Sequence, residues 1–214
     1  MIITLLFQQP VLFFAWVAAI IIAITVHEFS HAACAYALGD PTAKYQGRLT
    51  LNPLSHLDPW GTLLLLFVGI GWGKPIPFNP YNLKNQRYGS ALVALAGPGS
   101  NLGLVVIFSL ILRFIYPLTG LGTENALYTF LSLLVLLNAM LMIFNLIPIP
   151  PLDGSKLLMA ILPPSLDNVK IFLQRYGFFI LILLIFLGRN LLMGLFGLVI
   201  YVIQAVFGIQ LPFF

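Results

Sequence analysis

Charge is the scarcest property of this 214-residue chain. Asp, Glu, Lys and Arg together make up 7% of it, where a soluble domain carries about 25%. With 60% hydrophobic residues and a mean hydropathy of +1.03, an ordinary soluble globular protein is excluded and a polytopic membrane protein is expected. Cysteine occurs once, as Cys34, which excludes an internal disulfide and any Cys-rich metal site. The first ten residues hold no Lys or Arg, so neither a cleavable signal nor a transit peptide is expected. The net charge of +4 comes from ten basic residues scattered over loops, which does not point to nucleic acid. No polar stretch leaves room for an appended soluble domain of ~100 residues. The expectation is one membrane-embedded domain over 1–214, with a core at about 10–160 and C-terminal membrane helices at about 166–208.

Apolar runs lie at about 10–38, 60–71, 89–116, 126–147 and 177–208. A spanning helix needs roughly 20 apolar residues. The first, third and fourth runs qualify. The second, Gly61 to Gly71, is too short and suits a re-entrant or interfacial segment. The last is interrupted by Arg189-Asn190 and reads either as two helices, 168–188 and 190–208, or as one span followed by an interfacial helix. If 60–71 does not cross, Lys44, Arg48, Lys74, Lys84, Arg87, Lys156, Lys170 and Arg175 share one face, leaving Arg113 and Arg189 on the other. The positive-inside rule makes the crowded face cytoplasmic. A prokaryotic plasma membrane, with the N-terminus outside, is the expected setting. Residues 44–51 alternate around Gly47 and read as short extended structure; Asn52-Pro53 and Asp58-Pro59 are turn signals. The fold class expected is thus all-α and polytopic: a three-helix core, one or two C-terminal membrane helices, and a short extended or re-entrant segment at about 44–71.

Against this apolar background stands His27-Glu28-Phe29-Ser30-His31, inside the first run. It holds two of the three histidines and one of the two glutamates. A carboxylate at the bilayer centre costs roughly 2.5–3.5 kcal/mol on insertion scales, so its presence calls for a purpose. Positions i and i+4 share a helix face, and two imidazoles there can converge on one zinc ion. Glu28 directly follows the first of them, where a general base for the attacking water belongs. The bland alternative is a hydrogen-bonded pair of buried histidines. Catalytic zinc usually keeps three protein ligands and an open position. Candidates for the third are His56, Asp40, Asp58, Asp153 and Asp167. Asp153 stands out in Asn145-Leu146-Ile147-Pro148-Ile149-Pro150-Pro151-Leu152-Asp153-Gly154, where the prolines end the preceding helix and Gly154 allows a sharp turn. His27 lies 17 residues past Pro10, which is ~25 Å along a helix, near the cytoplasmic end. The 126–147 span runs the same way and delivers Asp153 to that level.

Together with Ala96-Gly97-Pro98-Gly99-Ser100-Asn101, these motifs resemble the site-2 protease family of intramembrane zinc metalloproteases. Gly47-Arg48-Leu49-Thr50-Leu51-Asn52-Pro53 and His56-Leu57-Asp58-Pro59 look like its compact prokaryotic branch. The resemblance covers about residues 15–160. It implies His27, His31 and Asp153 as ligands of one Zn2+ per chain and Glu28 as the general base. It also implies Asn145 as a group that meets the scissile carbonyl or the developing oxyanion; the alternative for Asn145 is a helix C-cap. Gly97-Pro98 reads as packing at the start of the second core helix, and Asn101 as a helix-packing or loop-pinning amide. Unlike longer members, the chain has no recognisable helix before the metal helix, no PDZ-like insert and no cystathionine-synthase-like tail. Substrate selection is then expected in the membrane core or in a separate partner.

The activity implied is hydrolysis of a single-pass membrane protein near the cytoplasmic face, in contact with the lipid bilayer. Loop 72–88 and Pro148–Pro151 are candidates for a water path, and the 44–51 or 60–71 stretch for a strand edge that receives unwound substrate. A cation or proton transporter predicts ionisable groups along the whole span, whereas here they cluster at one end. A non-proteolytic membrane scaffold leaves its site residues free to decay, and none has. His56 stays open between an auxiliary role at the site and a turn cap near Asp58. Cys34 reads as a small packing residue, and Glu124 and Asp167 as exposed loop charges.

Overall fold

The computed structural model describes residues 2–68, 71–85 and 88–212. Arg87, counted in the charge argument above, lies outside them. The described chain is all-helical: α1 (Ile3–Gln8), α2 (Pro10–Ala37), α3 (Thr42–Tyr45), α4 (Pro59–Val68), α5 (Gly89–Leu110), α6 (Ala126–Leu146), α7 (Asp153–Ile161), α8 (Asp167–Leu187) and α9 (Arg189–Phe207). Five segments are long and apolar enough to cross a membrane: α2, α5 with its continuation to Thr119, α6, α8 from Pro164, and α9. The chain is an integral multi-pass membrane protein. The six-residue α1, unforeseen in the sequence, packs on α2 but is far too short to span.

Helix α6 is the central post. The most apolar 18-residue window of α6 is 61% buried, against 28% for α2 and 22% for α5. Packing explains this order, since α6 packs on both α5 and α2 and also receives α9. Leu133, Leu134, Val135, Leu136 and Leu137 are all buried, so this stretch is apolar on every side and enclosed on every side. Helices α2 and α5 are antiparallel, with Ala23 and His27 beside Asn101 and His31 beside Val93. Helices α5 and α6 are likewise antiparallel: Asn101 meets Asn138, and the rings of Tyr116 and Tyr128 meet at 5.0 Å.

The 59–72 segment returns to where it started. Leu57 and Gly73 form an antiparallel bridge, and the Lys74 amide donates to the His56 carbonyl at 2.8 Å. Between these ends, α4 has ten residues, or ~15 Å of helix. Asp58 starts it by accepting the Gly61 amide at 2.8 Å. Its described parts, α4 and the stretch from Gly71, form the two sides of a hairpin, as expected of a segment that does not cross; residues 69 and 70 of that segment lie outside the described residues. The expected extended structure at 44–51 is not present. Lys44 and Tyr45 complete the short α3, Gly47 then turns the chain with φ +67°, and 51–52 lead into a 3-10 turn at Pro53–Ser55. Alternation alone could not make a strand there, because no ladder partner lies beside it among the described residues.

The C-terminal run forms two helices, but they do not make an out-and-back pair. Leu192 and Phe196, near the start of α9, pack with Ile143 at the end of α6. At the other end, Arg113 Nη1 donates to Gly208 O at 3.4 Å and Tyr128 OH to Gln210 O at 2.6 Å. Helix α9 is thus antiparallel to α6 and begins on the side where α6 ends. Helix α8 stays near that side, with Gly177 against Pro150 and Leu184 in the cluster around Ile143. This corrects the expected position of Arg189, which joins the face carrying most of the basic residues and leaves Arg113 at the opposite end.

Candidate metal centre

The site forms where the ends of α2 and α6 and the start of α7 meet the middle of α5. The spacing of His27 and His31 puts both rings on the face of α2 that looks at α5. His27 is 4% exposed and His31 7%. After α6, Ile147 to Leu152 turn the chain back, and Asp153 opens α7, with its side chain aimed at both imidazoles. Gly154 permits this turn, because a Cβ there would stand 2.2 Å from the Leu146 carbonyl oxygen. Three atoms converge: His27 Nε2 and His31 Nε2 are 3.0 Å apart, and Asp153 Oδ2 lies 3.2 Å from the first and 3.0 Å from the second. Among the described residues this is the one group of His, Cys, Asp or Glu side chains placed to share a metal ion.

The donor set fits zinc. Ligands at ~2.0–2.1 Å around a tetrahedral ion stand about 3.4 Å from one another, close to the triangle observed. Two imidazole nitrogens and one carboxylate oxygen match zinc preference, and three protein ligands leave a fourth position free. Lys156 Nζ sits 3.6 Å from the other oxygen, Asp153 Oδ1, and lies over the Phe78 ring.

Glu28 lies outside the triangle and beside it. It lines a cavity of about 130 Å3 together with His31, Asp153, Lys156 and, from the loop after α4, Pro75, Ile76 and Phe78. Pro151 also lines it, so both segments expected along a water path reach the site, though mainly with apolar groups. A larger hollow of about 360 Å3, between Gln9–Ala15, Glu124–Thr129 and Pro212, is at the opposite end of the bundle and holds none of this chemistry.

Asn145 does not line the cavity. Its Nδ2 donates to the Leu141 carbonyl at 3.0 Å, one turn back on α6. The remaining ligand candidates are engaged elsewhere. Asp40 is fully buried and accepts from Thr42, Asn79 and Asn82; Asp58 caps α4; Asp167 pairs with Lys170 Nζ at 2.8 Å. His56 is fully buried with Nε2 donating to the Thr50 carbonyl at 2.7 Å, and burial lowers its pKa. It braces the 50–56 turn and does not pair with Asp58. Cys34 packs with Ala35, Leu83 and Val93, as expected of a small apolar residue. Glu124 and Asp167 are exposed, also as expected.

Two residues on α5 belong to the site that sequence reasoning placed in packing. Gly97 lies directly against the metal-side rings: a Cβ there would stand 2.4 Å from His31 Nε2 and 2.6 Å from His27 Cε1. Asn101 Oδ1 meets His27 Nδ1 at 2.5 Å, and Val93 O meets His31 Nδ1 at 2.7 Å. Positions 93, 97 and 101 are spaced i, i+4, i+8, the same face rule that singled out His27 and His31. That spacing was the available signal.

Two buried imidazoles and a carboxylate meeting at one point, next to a free glutamate and within a bundle of apolar helices, define a membrane metalloprotease. Comparison with known proteins places the chain within that class. The family model described as Peptidase family M50 matches residues 120–184. YwhC of Bacillus subtilis, provisionally named a zinc metalloprotease, is 44% identical over 171 residues, which are 78% of this chain and 78% of that one. Rip2 of Mycolicibacterium smegmatis, named in the same way, is 29% identical over 79% of this chain and 65% of its own; Rip2 of Mycobacterium tuberculosis H37Rv is 28% identical over 86% and 70%. No solved structure gives a significant match. The chain belongs to peptidase family M50, the site-2 protease family of zinc metalloproteases.

Proposed function

We propose that this protein hydrolyses peptide bonds of single-pass membrane proteins near the cytoplasmic face of a prokaryotic plasma membrane, acting as one peptidase domain. The observation that carries this reading is the convergence of His27 Nε2, His31 Nε2 and Asp153 Oδ2 beside Glu28 on the wall of one cavity. In this reading His27, His31 and Asp153 hold the zinc. When bound, zinc supplies the Lewis acidity that makes water a nucleophile near neutral pH and polarises the scissile carbonyl. Glu28 takes a proton from the attacking water and passes it to the leaving amine nitrogen. Lys156, at Asp153 Oδ1, keeps that carboxylate turned so that Oδ2 faces the two imidazoles. Pro75, Ile76 and Phe78 form the cavity wall against which an unwound stretch of substrate lies, shielded from lipid. Asn145 contributes to the oxyanion only when its amide leaves the Leu141 carbonyl.

The test combines zinc content with cleavage of a membrane-embedded substrate in vesicles. The wild-type protein is expected to carry one zinc and to cleave; Glu28→Gln is expected to carry one zinc and not to cleave. Cleavage by Glu28→Gln at the wild-type rate rejects the base assignment. Wild-type zinc content in His27→Ala or Asp153→Ala rejects the ligand set.

A further inference from the structure

Three buried amide and imidazole groups link all three core helices in a line ending at the metal centre. Asn138 on α6 donates from Nδ2 to its own helix, to Leu134 O at 2.7 Å. Its Oδ1 accepts from Asn101 Nδ2 on α5, also at 2.7 Å, and the same Nδ2 lies 3.4 Å from Ala23 O on α2. Asn101 Oδ1 then meets His27 Nδ1 at 2.5 Å. Both asparagines are fully buried and His27 nearly so, leaving no room for solvent to reverse any of these bonds.

The line has only one consistent direction. Leu134 O is a backbone carbonyl and can only accept, so the Asn138 amide must present its NH2 there and its oxygen to Asn101. Asn101 must then present its NH2 to Asn138 and to the Ala23 carbonyl, and its oxygen to His27. Turning either amide over sets oxygen against oxygen in a buried site, where an unmade hydrogen bond costs about 1–3 kcal/mol. Facing an oxygen, His27 Nδ1 must carry the hydrogen, which leaves Nε2 of the neutral ring as a bare lone pair aimed at His31 Nε2 and Asp153 Oδ2. His31 reaches the same state by donating Nδ1–H to the Val93 carbonyl. With both rings neutral, three lone pairs meet at 3.0–3.2 Å and form a seat that a cation completes.

We infer that Asn101, oriented by Asn138, is a positioning residue that locks His27 in its metal-binding tautomer and ring orientation. This rests on the ligand reading of His27 and extends it to a residue on each of the other two core helices. The alternative is that the two amides act only as polar glue between helices. The two differ in what they require at position 101: the lock requires an acceptor facing Nδ1, glue requires only a group that fills the space.

The experiment measures zinc affinity of the full chain in detergent micelles by competition with a chromophoric chelator. Asn101→Leu, which fills the space without an acceptor, is expected to weaken zinc binding about 10–100-fold, the usual effect of losing the partner of a ligating histidine. Asn101→Asp keeps an acceptor oxygen towards His27 but gives up the donor towards Asn138 and the Ala23 carbonyl, and should recover part of that loss. Asn138→Leu should weaken zinc by a smaller factor, because Asn101 stays in place but loses its orientation. Unchanged affinity in Asn101→Leu, with zinc lost from His27→Ala, overturns the lock and leaves the ligand set standing. Equal losses in Asn101→Leu and Asn101→Asp also overturn it, since an acceptor then makes no difference. Should Asn101→Leu fail to accumulate, wild-type affinity in Asn138→Leu overturns it. Full zinc in His27→Ala removes both the lock and the reading beneath it.

Discussion

Gly97 is where α5 comes close enough to touch the metal-side rings. A single methyl there would lie 2.4 Å from His31 Nε2, well inside van der Waals contact, and the obstacle is a pair of locked imidazoles. Gly97→Ala is therefore expected to abolish zinc binding while α5 itself gains about 0.5–1 kcal/mol of helix propensity. Metal analysis beside a thermal melt checks this, and a more stable, zinc-replete Gly97→Ala protein contradicts it. Glu28 and Asn145 make a second contrast. Gln at position 28 is nearly isosteric but cannot accept the proton, so the loss in rate should reach at least ~10²–10⁴ with zinc retained. Asn145→Ala should cost less than Glu28→Gln, because its amide is engaged by Leu141 O rather than facing the cavity. Steady-state cleavage with both variants decides the order. His27, Glu28 and His31 were legible in the sequence as candidates because charge inside an apolar run stands out against its surroundings, and Asp153 because prolines and a glycine frame it just past the end of a span. Gly97 and Asn138 were not, since a missing side chain and a lone amide inside a leucine-rich helix show their purpose only when another helix is laid against them.

At the scale of elements, the loop that walls the cavity is tied to the metal helix through one carboxylate. Just past the end of α2, Asp40 accepts from the amide of Asn79 at 2.6 Å on Oδ2 and from Asn82 Nδ2 at 2.8 Å on Oδ1, where Thr42 also donates. Burial pushes the Asp40 carboxyl up, yet these hydrogen bonds outweigh it and hold the group below its ordinary value. A depressed carboxyl lends stability that is present above its unfolded pKa and disappears as pH falls through the folded one. Bonds to a charged group contribute about 1.5–3 kcal/mol each, so Asp40→Ala should loosen the 79–85 segment before it unfolds the bundle. Limited proteolysis in detergent reads this as a new cut in that segment; an unchanged digestion pattern contradicts it. The apolar spans were legible from run length and the hairpin at 59–72 from its shortness, because both follow from the thickness of the bilayer. The stretch at 44–51 was misread because alternation specifies a strand only when another strand accepts its hydrogen bonds, and here Asp40 and Gly47 organise turns instead.

Across the whole molecule, the direction of α9 reassigns a charge and sharpens the orientation. Among the described residues, Lys44, Arg48, Lys74, Lys84, Lys156, Lys170, Arg175 and Arg189 now lie on the side of the metal centre, and Arg113 on the other. The sequence could not reveal this, because an apolar run interrupted by Arg189-Asn190 has the same composition whether α8 crosses or stays to one side. What distinguishes them is packing: Gly177 of α8 lies against Pro150 and Leu184 beside Ile143, while α9 lies along α6 from Ile143 to Tyr128. A charge split this uneven should fix the orientation firmly, with the metal centre towards the cytoplasm. Single cysteines introduced into a Cys34→Ala background at positions 46, 80 and 189 should all react with a membrane-impermeant thiol reagent from the cytoplasmic side, and one at position 113 from the opposite side. Reaction of positions 46 and 80 from different sides would contradict the hairpin. Reaction of 189 together with 113 would mean that α8 crosses and that α9 runs parallel to α6, against the contacts of Gly208 and Gln210. Reaction of all four as expected but from reversed sides would keep the fold and move the site to the outer face, and with it the end of the substrate helix that has to unwind.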